Sequence, residues 1–195
     1  MIRRLTAVLA SILLVSACAA PMVSRPGGAA ASEPVTVGII AINDFHGALE
    51  PPKQSVFVPT GKGPTPTDPS GTVGVPAGGA AWLASAIDSI RAKYPNHVTV
   101  SAGDMISASQ FASSLYLDEP AIGVMNRIGV DFNAVGNHEF DRGPAELLRM
   151  QNGGCEKNTV REPCQLEQFK GATFRYLAAS TLTADGKTLF PPDRS

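Results

Sequence analysis

Cysteine is scarce in this chain, at three in 195 residues, and so is histidine, also three. Cys155 and Cys164 fall in one polar insert, Asn152–Gln168, with no further thiols or histidines nearby to make four zinc ligands. A thiolate zinc site is thereby disfavoured, and a disulfide closing a small loop is the expected use of the pair. Positive charge is not in excess, with 16 Lys and Arg against 17 Asp and Glu, so nothing suggests a polybasic surface for a nucleic acid polymer. There is no apolar run long enough to span a bilayer, since Leu5–Val15 is too short. No internal repeat is evident.

The amino terminus instead reads as a secretory signal. Met1–Arg4 is short and basic, Leu5–Val15 is apolar, and Ser16-Ala17 supplies small residues before Cys18. Leu14-Val15-Ser16-Ala17-Cys18 resembles a bacterial lipobox, which implies a signal peptide over 1–17 and a mature chain anchored to the membrane through lipidated Cys18. Ordinary cleavage after Ala20 is the alternative. Ala19, in place of an acidic residue, fits sorting to an outer membrane. Loss of Arg3 and Arg4 leaves 14 basic residues against 17 acidic, a mature net charge of −3. Residues 18–34 read as a tether and residues 35–195 as the folded portion, long enough for one ordinary core.

Along that portion, strand-like and helix-like segments alternate. Val35–Ile42 is an apolar strand. Pro51–Gly78 is rich in Pro, Gly and Thr and is expected to be a long surface loop. Ala80, Leu83, Ile87 and Ile90 share a helical face over Gly79–Lys93. Val98–Ala102 has strand composition, Glu119–Ile128 has helical spacing, and Phe132–Val135 is a short buried strand. Pro144 suits a first helical turn, predicting a helix over Pro144–Gln151, and Thr173–Ser180 reads as a fourth strand. This βαβαβαβ order predicts an α/β fold with a largely parallel sheet.

Three polar motifs leave these strands at their carboxyl ends. They are Asn43-Asp44-Phe45-His46-Gly47, Gly103-Asp104 and Gly136-Asn137-His138-Glu139-Phe140-Asp141. Carboxyl ends of parallel strands share one edge, where ligands bind. Asp44 and His46, two residues apart, can offer a carboxylate oxygen and an imidazole nitrogen to one cation. Asp104 is the candidate for a carboxylate shared between two cations. The Asn137 amide oxygen can ligate a hard cation, His138 is placed to act on substrate, and Asp141 can hold and polarise the His138 ring. Taken singly, each motif also reads as an ordinary turn or cap; together they predict a metal-centred hydrolytic site.

These blocks resemble the metallophosphoesterase motifs of the secreted bacterial 5′-nucleotidase family. Gly78-Gly79-Ala80-Ala81, Met125–Asp131 and Tyr176–Ser180 are similar to that family as well, so the resemblance runs from about Val35 to Phe190. It implies a calcineurin-like, four-layer αββα sandwich holding two divalent cations, zinc, manganese or similar, that hydrolyses nucleotides or other small phosphoesters outside the cytoplasm. It further implies metal ligation by Asp44, His46, Asp104 and Asn137, and catalysis by His138 with Asp141 as its partner. Glu139 and Phe140 are expected to be structural.

The family also takes histidines from later strands, including a Gly-His-x-His turn, and this chain has none to match. Its spare histidine, His97, precedes the strand that ends near Asp104 and is expected about 20 Å from the cations, given about 3.3 Å per strand residue. Four plausible ligands for a site wanting about seven, and a chain ending after its fourth strand, suggest the N-terminal portion of a catalytic domain whose C-terminal half is absent. The competing expectation is a half-domain or lipoprotein remnant that binds metal or a partner without turnover.

Overall fold

A computed structural model describes residues 33–53, 55–65 and 67–190. The signal segment 1–17, Cys18 and most of the tether lie outside the described residues. Four strands form one parallel sheet in the order β1 (Gly38–Ile42), β4 (His97–Ser101), β5 (Phe132–Ala134), β6 (Arg175–Leu177). β1 pairs with β4 from Gly38↔His97 to Ile42↔Ser101, β4 with β5 through Val100↔Phe132, and β5 with β6 from Phe132↔Arg175 to Ala134↔Leu177. Each connection advances one strand in the same direction, and right-handed crossovers then place the connecting helices on one face.

Those helices are α1 (Gly79–Arg91), α3 (Glu119–Ile128) and α4 (Gly143–Asn152), with a short α2 (Phe111–Ser114) ahead of α3. Their apolar stripes converge on a single core. Ile87 of α1, Ile122 and Met125 of α3, and Leu147 and Met150 of α4 are all buried in one cluster with Ile40 of β1 and Tyr176 of β6. Side chains alternate across a strand, so Ile39, Ala41, Val98, Val100 and Ala134 belong to the opposite face, where each is half-buried or exposed. The core of the described residues is therefore one four-stranded sheet and its helix layer.

Two departures from the expected elements have local causes. The segment Pro51–Gly78 is not wholly loop. It carries an antiparallel hairpin of β2 (Val56–Pro59) and β3 (Thr72–Val75), paired from Val56↔Val75 to Pro59↔Thr72. The β-branched residues suit a strand, but Val56, Phe57 and Val73 stay exposed, so the segment does lie at the surface. The fourth strand is shorter than Thr173–Ser180 because the Thr173 N–H donates to the Asn126 side-chain oxygen of α3, at 2.8 Å, rather than to a neighbouring strand.

The insert after α4 is closed by a Cys155–Cys164 disulfide, as expected. It is seated on the helices by a buried ionic cluster. Arg149 donates to Glu119 and Glu146, each at 2.7 Å, and to the Gly154 carbonyl at 2.9 Å. Glu119 in turn accepts the Cys164 backbone N–H at 3.0 Å. Burial works against the Arg149 charge, but the two carboxylates outweigh it and hold the guanidinium above its ordinary pKa.

Candidate metal centre

The three motifs meet where β1, β4 and β5 end. Loops after β1 and β4 are laced together, with backbone N–H donation from Asp44 to Gly103 O, from His46 to Asp104 O and from Gly47 to Met105 O at 3.0–3.1 Å. This lacing holds Asp44, His46 and Asp104 in left-handed backbone conformations, with φ of 51°, 46° and 53°. Non-glycine residues rarely adopt that region, and strain of this kind collects at functional sites. Gly136 is required by proximity, because a Cβ there would collide with the Asp104 carboxylate.

Ligand atoms of His46, Asp104 and His138 all lie within 4.8 Å of one another. The two imidazole rings stand edge to face with centroids 4.9 Å apart. His46 Nδ1 is 2.8 Å from the Ser107 carbonyl, which can only accept, so Nδ1 carries the proton and Nε2 keeps its lone pair for a cation. Asp44 flanks the group, its Oδ1 3.8 Å from His46 Nε2. One carboxylate plus two imidazoles, with a second carboxylate adjacent, is a donor set that zinc or manganese accepts.

His138 is held from two sides. Its backbone N–H donates to Asp104 Oδ1 at 2.9 Å, and its Nδ1 lies 2.8 Å from Asp141 Oδ2. The Asp141 hydrogen bond raises the His138 pKa above its ordinary value, over a smaller opposing effect of desolvation. The Asp141 partnership is the one anticipated from sequence. The ring also sits inside the donor group with His46 and Asp104, whereas the sequence reading set it apart from the ligands. Asn137 is exposed at the start of the short 3₁₀ turn His138–Phe140, next in sequence to His138, and its side chain does not cap that turn. His97 begins β4 at the far end from Asp104 and bonds to the Tyr94 carbonyl, apart from the site as expected.

Glu139 does more than fill space. Its buried carboxylate accepts the backbone N–H groups of Asp104 and Met105, each at 2.9 Å, and of Gly136 at 2.7 Å. It thereby ties the Asp104 loop to the Asn137-His138 loop. The sequence signal was present, a carboxylate inside the densest motif, but its partners are backbone amides that no spacing rule identifies. A cleft of about 600 Å³, lined by Asn43, Asp44, Phe45, Gly78 and Trp82 among others, opens beside Asp44.

The described residues thus form an α/β fold with a parallel sheet and this donor group at its carboxyl edge. No protein-family model matches the chain. It is 52% identical over 159 residues to the "Uncharacterized protein in pqq-V 5'region" of Acinetobacter calcoaceticus, covering 80% of this chain and 76% of that one. The chain belongs to the same family as that protein. It is also 38% identical to "Endonuclease YhcR" of Bacillus subtilis over 64% of this chain and 9% of that protein. Against the "Probable 5'-nucleotidase" of Treponema pallidum it is 33% identical over 54% of this chain and 16% of the relative. Its homologues thus include 5′-nucleotidases, of which it spans a small part. Among solved structures, the NAD nucleotidase of Haemophilus influenzae aligns with a TM-score of 0.46 and 26% identity, over 63% of this chain and 21% of that one. Among the described residues, no helix is long and apolar enough to cross a membrane.

Proposed function

We propose that the chain carries the catalytic edge of a two-metal phosphoester hydrolase of the 5′-nucleotidase type, exported and anchored through lipidated Cys18, acting on nucleotides or other small phosphoesters. The observation that supports this most is the convergence of His46, Asp104 and His138 donors within 4.8 Å. In this reading Asp44 and His46 would hold one cation, Asp104 would be shared, and Asn137 would serve the second. Bound cations would supply Lewis acidity toward phosphate oxygens and toward water.

The chain's own residues then do the following. His138, whose pKa the Asp141 hydrogen bond raises, faces the phosphoryl group beside the cations and gives its proton to the leaving oxygen as a general acid. Asp141 fixes the ring so that Nε2 is the atom that acts. Glu139 holds Asp104 and His138 in register through the backbone. A second reading, metal binding by a half-domain without turnover, is favoured by the small number of clustered donors among the described residues.

The test is hydrolysis of AMP and bis-nitrophenyl phosphate by the Mn²⁺-loaded chain. Under the leading reading the chain turns over, and His138→Asn keeps the metal while losing about 10²–10⁴-fold in rate. Metal binding without hydrolysis of either substrate supports the second reading.

A further inference from the structure

Asp118 belongs to no motif singled out in the sequence, yet its ion pair with Arg142, the residue after Asp141, touches both sides of the candidate site. Asp118 is fully buried and sits with φ 64° at the residue before α3. Its Oδ2 accepts the Ser107 backbone N–H at 3.0 Å and Arg142 Nη1 at 2.7 Å, while Oδ1 accepts the Ser113 hydroxyl at 2.7 Å. Ser107 and Ala108 are themselves left-handed, with φ of 63° and 46°. The Ser107 N–H bond to Asp118 offsets part of that strain, beside the Ser109 hydroxyl that donates to the Ser107 carbonyl at 3.2 Å.

The consequence lies one peptide further on. The Ser107 carbonyl is the group that His46 Nδ1 meets at 2.8 Å. Asp118 thus holds the peptide just before the one whose carbonyl fixes the His46 tautomer. Arg142, for its part, follows Asp141, the carboxylate on His138. One ion pair, Asp118 buried and Arg142 half-buried, therefore braces the His46 ring from the β4 loop and the His138–Asp141 pair from the turn before α4.

We propose that Asp118 and Arg142 are positioning residues for the metal centre, acting on His46 through the Ser107 carbonyl. The inference rests on the metal-site reading for its effect on affinity, but not for its effect on the ring. A carbonyl or carboxylate on the second nitrogen of a ligating histidine sets its tautomer and orientation, and losing it costs about 10–100-fold in metal affinity or activity.

The experiment uses the 195-residue chain and Asp118→Asn, with Arg142→Gln as the second variant should the first not fold. Imidazole ¹⁵N spectra of the metal-free protein, recorded where histidine is neutral, report the His46 tautomer. The expected result is Nδ1–H in the parent and a mixture of tautomers in the variant, with Mn²⁺ affinity reduced about 10–100-fold. Glu146→Gln, in the ionic cluster at the disulfide loop, is the control. It lowers stability while leaving both readouts unchanged. An unchanged His46 spectrum in the folded variant, or the same loss of Mn²⁺ affinity in Glu146→Gln, overturns the proposal. If the parent binds no Mn²⁺, the metal-site reading fails, and the spectra alone decide the role of Asp118.

Discussion

Two groups of buried carboxylates stand at opposite ends of this molecule's chemistry. At the sheet edge, Glu139 and Asp118 accept backbone N–H groups from the loops that carry Asp104, Ser107 and Gly136. At the disulfide loop, Glu119 and Glu146 enclose Arg149 and seat Cys164 on the helices. Both groups satisfy their charges, as buried charges must. They differ in what they hold: the first fixes strained peptides beside the converging His46, Asp104 and His138 side chains, the second an insert that carries no candidate ligand. The contrast predicts that damage to the first registers in metal affinity and stability together, and damage to the second in stability alone.

The strongest way to break that contrast is Glu139→Gln. The amide nitrogen would face the backbone donors of whichever oxygen it replaces, Met105 at Oε1 or Asp104 and Gly136 at Oε2, leaving buried N–H groups unpaired. A loss of about 1–3 kcal/mol for each unpaired group is expected, together with reduced Mn²⁺ affinity in whatever fraction remains folded. Urea unfolding and metal titration of the same sample check both arms. A smaller effect is expected from replacing Cys155 and Cys164 together by Ser. For so short a loop the loss is about 2–3 kcal/mol, with Mn²⁺ affinity unchanged when measured well below the new midpoint. A shared loss of affinity would erase the distinction between the regions.

The smallest effect is a pH dependence from Asp118. Burial pushes its carboxyl up, but hydrogen bonds from Ser113 and Ser109 and the Arg142 guanidinium outweigh burial and leave it below the ordinary value of 3.8. A depressed folded pKa contributes stability that is fully present above the unfolded value and is lost as pH falls through the folded one. The difference in unfolding free energy between the parent chain and Asp118→Asn should therefore be constant from pH 7 to 5 and shrink below pH 4. A difference that grows in acid would reverse the assigned sign.

How legible each region was in the sequence follows from the same contrast. Strands and helices were readable because their apolar residues share faces: α3 spans Glu119–Ile128 as its spacing predicts, and β4 lies within one residue of expectation. That Asp44, His46 and Asp104, read as ligands, and His138, read as catalytic, would meet was readable because parallel strands deliver them to one edge. The braces were not readable. Asp118, Glu139 and the Ser107 carbonyl act on backbone groups brought close only by folding, and such partnerships leave no periodicity. The β2–β3 hairpin was obscured differently, since its strands sit in Pro- and Gly-rich sequence and bury little.

The measurement that bears most directly on the central claim, a metal centre at the carboxyl edge of the sheet, is calorimetric titration of the 195-residue chain with Mn²⁺ beside its Asp104→Asn variant. The account predicts binding by the parent and a loss of more than about tenfold in the variant, whose neutral amide is a poor ligand for two cations. Equal affinity in the two proteins, or no binding by the folded parent, would contradict it.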